Sequence, residues 1–291
     1  MEHPVPRGWL PASPCTPGCL PASLDDAGVL ARLRVTARLA AVVVVLLSAV
    51  AVAPVLAAPV RARWLRLCSR AMLWSVGVRL RVTASPWPDG PAAVGLPGML
   101  VVANHVSWID VLALSAVAPV RLLAKREVGE WPLVGGLARR AGALFVDRAR
   151  LRALRGTIAA LTDALRSGDC VGVFPEGTTW CGAAAGPFRR AAFQAAIDAG
   201  APVRPVAVAF RHADGSPAQT AAFVGAQTLL DSMLRVLRTP GLTCELTVLP
   251  PLAPTGDRRD LARRAQEAIA RTTGVRHGAD PGPVLPSPLA A

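Results

Sequence analysis

Asn104-His105-Val106-Ser107-Trp108-Ile109-Asp110 sets an imidazole five residues before a carboxylate. Phe174-Pro175-Glu176-Gly177-Thr178-Thr179-Trp180 follows with a second carboxylate, a glycine and two hydroxyls on what reads as a turn leaving an apolar strand. The first stretch offers a general base and a group to orient it; the second offers a small, polar binding turn. Of the four histidines, His3 and His277 fall in the Pro- and Gly-rich ends and His212 in a polar loop. Only His105 leaves an apolar run and enters a helical one, where reactive side chains are commonly presented. Within a continuous helix five residues turn through about 140°, so His105 and Asp110 would not share a face. They meet if His105 stands just before the helix and Asp110 in its first turns. The carboxylate then takes the proton of one ring nitrogen and leaves the other basic. The competing reading of the first motif alone is a capping or core histidine beside an unrelated aspartate. That of the second alone is a turn that caps the next helix. Read together, the two motifs point to acyl transfer. Gly177 allows a tight turn and close backbone approach, and a strand end is where an open α/β sheet binds its ligand.

Between Val82 and Gly274 short apolar runs alternate with helical patterns, which predicts an α/β domain. Strands are expected at Met99–Ala103, Val120–Ala124, Ala143–Val146, Val171–Phe174, Val203–Phe210 and Leu242–Leu249. Helices are expected at Ile109–Ala118, Phe188–Ala199, Gln227–Leu237 and Arg258–Thr272. Leu151, Leu154, Ile158, Leu161 and Leu165 make a helical stripe that packs on the sheet, and Gly168 ends that helix.

Leu39 to Val60 is a run of 22 uncharged residues, about 33 Å as a helix, which is one hydrocarbon core. It starts too late for a secretory signal. Arg32, Arg34 and Arg38 precede it, and Arg61, Arg63, Arg66 and Arg70 follow it. A simple span carries its cations on one side. Arginines at both ends fit a membrane-associated helical pair better, turning near Pro54–Pro59, with a second helix from about Arg61 to Val78 at the headgroups. A buried core helix is the alternative. The expected divisions are an unstructured Pro-rich segment 1–28, the membrane-associated segment 29–80, the catalytic domain 81–275 and a loose tail 276–291.

The chain of 291 residues is 52% hydrophobic with net charge +13, which excludes a disordered protein and suggests an acidic partner such as anionic lipid or a phosphorylated substrate. Lys125 is the only lysine, and the arginines are spread along the chain. Tyrosine is absent and aromatics are 4%, so no stacking platform or nucleic-acid motif is present and no nucleic-acid partner is expected. The six cysteines read as reduced thiols. Cys15 and Cys19 lack two further zinc ligands at matching spacing and read as incidental.

The motifs, in their order, resemble the glycerolipid acyltransferase family, the bacterial 1-acyl-glycerol-3-phosphate acyltransferase type, over most of residues 60–250. Asn104–Asp110 matches the family's NHxxxxD block. Gly142–Arg148 matches its apolar run ending in arginine, Phe174–Thr178 its FPEGT block and Val203–Val208 its proline within an apolar strand, and Lys125 also stands at a family position. The resemblance implies a mixed sheet flanked by helices, as in glycerol-3-phosphate acyltransferase. It makes His105 the general base and Asp110 its orienting partner. Direct attack of a lysophospholipid hydroxyl on an acyl thioester follows, with no acyl-enzyme, and no G-x-S-x-G elbow supplies a nucleophile. The oxyanion would be met by backbone amides or a cation. Asn104, Lys125, Arg148, Glu176, Gly177, Thr178 and Pro205 would bind substrate, with Lys125 and Arg148 on the acceptor phosphate. No cofactor or metal is implied; acyl-CoA or acyl-carrier protein would be the donor, at the cytoplasmic face of the inner membrane. Thr179 stands where the family usually has arginine, and Arg189 and Arg190 are candidate replacements. The default acceptor is 1-acyl-glycerol-3-phosphate. A lyso-ornithine lipid or another lysolipid is a second choice. A hydrolase acting on water and a non-catalytic basic membrane-binding protein are the readings from other classes.

Overall fold

Residues in a strand point alternately to the two faces of its sheet, and the apolar runs here are continuous, so both faces must be covered. The computed structural model describes residues 11–21, 28–84, 98–147, 151–275 and 277–278 and meets that requirement. Among the described residues there are seven strands: β1 (Val78–Ala84), β2 (Met99–Ala103), β3 (Arg121–Lys125), β4 (Leu144–Val146), β5 (Cys170–Val173), β6 (Val203–Arg211) and β7 (Leu242–Val248). They form one sheet in the order β1-β7-β6-β2-β5-β3-β4. β2 runs parallel to β5 and β6, and β7 is antiparallel to β6, so the sheet is mixed.

Leu100 and Val102 of β2 enter one core with Leu161 and Leu165 of α6 (Leu151–Arg166), Phe193 of α7 (Ala191–Ala199) and Ile269 of α9 (Arg258–Thr273). Val101 and Ala103 enter the opposite core with Ile109 and Leu114 of α3 (Trp108–Val117) and Val236 of α8 (Leu229–Arg238). β2 is thus buried on both faces, and its carboxyl end is held between two strands. Val146 also is buried at the end of β4, level with Lys125 of β3.

The N-terminal pair is α1 (Val29–Val52) and α2 (Ala58–Ser75), joined through the short turn Ala53–Val55, where Pro54 cannot continue the helix. The stretch Val29–Val55 is long and apolar enough to cross a membrane, and only 11% of its most apolar window is buried. α1 packs on α2 and touches both α8 and the short helix α5 (Val134–Arg140). Arg38 Nη1 donates to Leu237 O at 2.7 Å and Arg34 to Arg238 O at 3.3 Å, so the start of α1 caps the end of α8. Leu39, Val43, Val44 and Leu47 remain exposed.

Most element ends fall within a residue or two of expectation, and larger departures have physical reasons. The second helix stops at Ser75 rather than Val78, because Gly77 turns with φ +80 and the alternation of Val78, Arg79, Leu80 and Arg81 then pairs as β1 with β7. α7 starts at Ala191 rather than Phe188, because the amides of Phe188 and Arg189 bind Gln266 Oε1 and Pro175 O instead of entering a helix. Residues 11–21 are not loose: Cys15 is 2% exposed, and Pro17–Cys19 form a 3₁₀ turn. His277 is packed too; its ring lies edge-on to Phe188 with centroids 5.1 Å apart, and Gly278 N donates to Ala185 O. The remainder of both ends lies outside the described residues.

Leu165 is fully buried between α6 and the sheet. Leu165→Ala lowers unfolding stability by about 2–5 kcal/mol; denaturant titration followed by circular dichroism checks it.

Candidate active site

His105 lies two residues past β2, in the short irregular stretch before α3. Ser107 is the N-cap of that helix and Asp110 its third residue, which makes a capping box: Ser107 Oγ accepts from Ile109 N, and the Asp110 carboxylate faces back across the first turn. Asp110 Oδ2 accepts from Val106 N at 2.7 Å and Ser107 N at 2.8 Å, and lies 2.9 Å from His105 Nδ1. One buried oxygen therefore caps the helix and binds the ring. As an acceptor it assigns the proton to Nδ1 and leaves Nε2 as the basic nitrogen. The ring stacks on Phe174, centroids 4.0 Å apart, and the His105 side chain is 18% exposed.

Four further contacts hold the peptide groups around it. His105 N donates to Glu176 Oε2 at 2.6 Å and His105 O accepts from Trp180 N at 2.8 Å. Val106 O accepts from Phe223 N at 2.9 Å, and the Thr179 hydroxyl donates to Phe223 O. Asn104 serves the other flank. Its Nδ2 donates to Val208 O at 2.9 Å and its Oδ1 accepts from Val208 N at 2.8 Å, so a side-chain amide extends the β2–β6 ladder beyond its last backbone pair, Ala103 with Val206. Asn104 therefore positions the loop.

Glu176 is buried among backbone donors. Its second oxygen accepts from Gly186 N at 3.0 Å and lies 3.8 Å from His277 Nδ1, which also lies 2.7 Å from Gly186 O. It braces the β2 and β5 loops through these two amides. Burial pushes its carboxyl up to about 8, against the two amide hydrogen bonds that favour the ion. Burial likewise holds the His277 ring below its ordinary value, in its neutral form. Asn104, His105, Glu176, Trp180, Phe210 and His277 help line a cavity of about 270 Å³ behind the strand ends.

Gly177 has φ +77, and a Cβ there would fall 2.6 Å from Pro11 Cγ, so both the backbone angle and the packing demand glycine. Arg189 passes beside the same turn, its Cδ 3.8 Å from that Cβ position. Thr178 is half-buried next to it. Lys125 ends β3, exposed, and Arg148 lies outside the described residues. Pro205 is buried and level with Val102, inside the sheet rather than at the strand end. It lies away from His105 and is absent from the lining of the cavity. The structure thus joins Asn104, His105, Asp110 and Glu176, sets Gly177, Thr178 and Arg189 beside them, and leaves Pro205 apart. Phe174 and Trp180 belonged to a recognised motif and could have been singled out. His277 and Phe223 carried no local signal, because their partners are 91 and 44 residues away.

Residues 91–209 match the Acyltransferase family. The lyso-ornithine lipid O-acyltransferase of Pseudomonas aeruginosa is 42% identical over 176 residues, 59% of this chain and 66% of that protein. The 1-acyl-sn-glycerol-3-phosphate acyltransferase of Neisseria meningitidis is 36% identical over 206 residues, 69% of this chain and 76% of that protein. The crystal structure of the 1-acyl-sn-glycerophosphate acyltransferase of Thermotoga maritima superposes with a TM-score of 0.61 at 19% identity, covering 84% of this chain and 95% of that one. The chain belongs to the acyltransferase family.

The folded Glu176 carboxyl keeps its proton to about pH 8, while an unfolded one releases it near 4.5. Between those values the unfolded state binds fewer protons, so this group's contribution to stability falls as pH rises. Glu176→Gln does not titrate and flattens that slope. It also sets an amide N–H against a backbone donor, at a cost of about 1–3 kcal/mol. Thermal midpoints of both proteins from pH 4.5 to 8 check this.

Proposed function

We propose that the protein transfers a fatty acyl group from an acyl thioester to the free hydroxyl of a lysolipid, with His105 as general base. The 2.9 Å pairing of His105 Nδ1 with Asp110 carries this reading. Nε2 takes the acceptor's hydroxyl proton as the oxygen attacks the thioester carbonyl. The tetrahedral intermediate collapses, the C–S bond breaks, and the imidazolium returns the proton to the departing thiolate. Asp110 holds the ring through both proton transfers. No acyl-enzyme, prosthetic group or catalytic metal takes part. Backbone amides or a nearby cation would meet the oxyanion.

The acceptor is 1-acyl-glycerol-3-phosphate, giving phosphatidic acid. Arg189, beside the Gly177 turn, supplies the cation that the family's usual arginine would give at Thr179, whose hydroxyl is used to hold the Phe223 loop. Lys125 and Arg148 complete the phosphate site. The 42% identity to a lyso-ornithine lipid O-acyltransferase supports a second reading, in which the same mechanism serves a lyso-ornithine acceptor.

The α1–α2 pair lies in the membrane interface rather than spanning it. Contacts of α1 with both α8 and α5 keep it along the flank of the domain, and its exposed Leu39, Val43, Val44 and Leu47 enter the lipid. That sets the site beside its lipid acceptor, on the cytoplasmic face of the inner membrane, where acyl-CoA or acyl-carrier protein is available.

Purified protein in detergent, given acyl-CoA or acyl-carrier protein and a panel of lysolipids, acylates lysophosphatidate. His105→Ala lowers kcat by about 10²–10⁴-fold with an unchanged thermal midpoint. Arg189→Ala raises KM for the phosphate acceptor more than for a lyso-ornithine lipid. Transfer only to the latter replaces the acceptor and keeps the mechanism. Acceptor-independent release of fatty acid makes the protein a hydrolase, and full activity in His105→Ala removes the base assignment.

A further inference from the structure

Cys15 and Cys19 are separated from Cys181 by more than 160 residues of sequence, yet the structure brings the three sulfurs together. All three lie within 4.8 Å of one another; Cys15 and Cys181 are buried and Cys19 is half-buried. The 3₁₀ turn Pro17–Cys19, closed by Cys19 N to Thr16 O at 2.9 Å, folds Cys19 back toward Cys15. Cys181 N donates to Cys15 Sγ at 3.3 Å, which lowers the cost of negative charge on that sulfur. The other three cysteines, Cys68, Cys170 and Cys244, lie elsewhere in the fold.

The segment carrying two of these thiols packs on the domain through Cys15, Cys19 and Leu20, which join the core around α3. Residues 11–21 contain no charged side chain. Their contacts with the domain run through small gaps. Pro11 sits over Gly177, and a Cβ on Gly225 would fall 3.1 Å from Pro17 Cδ. Prolines at 11, 14, 17 and 21 stiffen the strap and reduce the entropy lost on ordering it. Buried cysteines often serve as small apolar residues, but packing alone asks for no convergence of three sulfurs from two distant segments.

We propose that Cys15, Cys19 and Cys181 form a three-thiolate site for a soft d¹⁰ cation, of the Zn²⁺ or Cu⁺ class, which clips the 11–21 strap onto the catalytic domain beside the Gly177 turn. Sulfurs around a tetrahedral zinc at about 2.3 Å stand about 3.8 Å apart. Sulfurs already within 4.8 Å reach that spacing by closing about 1 Å, and two of them ride on the strap. Thiolates select soft ions over magnesium or calcium. Each thiol yields its proton as its sulfur donates a lone pair, so binding one ion releases three protons. Three sulfurs complete a trigonal Cu⁺ site; Zn²⁺ would keep a fourth position for water. Cys181 also lines the cavity that His105 and Glu176 border, but the test reads metal uptake and does not depend on the acyl-transfer reading.

The test is titration of the reduced full-length protein in detergent with Cd²⁺, a thiophilic stand-in, following the thiolate-to-metal charge-transfer absorbance, with Zn²⁺ and Cu⁺ in competition. One ion binds per chain and binding weakens by at least about 100-fold in each of Cys15→Ser, Cys19→Ser and Cys181→Ser, while Cys68→Ser binds as wild type. Cys19 is only partly buried, so Cys19→Ser keeps its fold by circular dichroism even if Cys181→Ser does not. In the wild type, metal slows proteolysis within residues 11–21, and in Cys19→Ser it does not. Absence of stoichiometric uptake, uptake that persists in Cys19→Ser, or a Cys15–Cys181 disulfide found by mass spectrometry in place of metal each overturns the proposal.

Discussion

One carboxylate oxygen organises the site. Asp110 Oδ2 receives Val106 N, Ser107 N and the His105 ring together. A helix start leaves its first amides without partners, and a side chain at the third position is well placed to take them. Here that general need and the special need of a histidine for a proton acceptor are met by the same atom. The ring is therefore only as well oriented as the first turn of α3, and α3 only as well placed as β2. Moving any of the three moves the ring. Glu176, Trp180 and Phe223 bind the backbone of the same short segment from the β5 loop and the loop before α8, and the Asn104 side chain ties the segment to the backbone of Val208 in β6. The geometry of the site is fixed largely through peptide groups, while Asp110 and Phe174 contact the ring itself.

The arginine surplus has a structural use that bulk charge conceals. Arg38 donates to Leu237 O at the end of α8 and Arg70 to Ala116 O at the end of α3. Arg166 reaches Asp198 O near the end of α7, and Arg139 binds Gly129 O. Carbonyls at helix ends lack intrahelical donors and carry partial negative charge, so a guanidinium suits them on both counts. The paired helices α1 and α2 are thereby tied to the sheet domain by cations as well as by apolar contact. The apolar face of α1 is left outward, which is the opposite of what a soluble core helix does.

Glu176 illustrates how a motif residue and its task can part. Its place in a binding turn suggests a ligand contact. In the fold both oxygens bind backbone amides from two separate loops, and burial holds the carboxyl near its protonated form to about pH 8. Thr179 behaves alike: where an arginine would reach outward, a short hydroxyl reaches inward to Phe223. The Gly177 turn between them is kept open by glycine and shared with Pro11, from the N-terminal segment, and Arg189, twelve residues further on.

Local pattern was enough for whatever depends on neighbours in sequence. The apolar run 99–103 reads as β2 to the residue, the stripe on α6 reads as core, and the His105–Asp110 spacing requires a helix that begins between them; each follows from periodicity and capping within one or two turns. The long apolar segment likewise declares itself by length and composition. Pairings across the chain were not legible. The strap 11–21, the packing of His277 by Gly186, the inward Glu176 and the meeting of Cys15, Cys19 and Cys181 each join residues 71 to 166 positions apart. β1 was missed for the same reason: an edge strand is defined by its partner β7, which lies 164 residues on. Sequence thus determined which elements form and which residues could react, because propensity and capping act over a few bonds. Only the tertiary structure decided what those residues touch, because a buried hydrogen bond or a cluster of sulfurs depends on where distant segments come to rest.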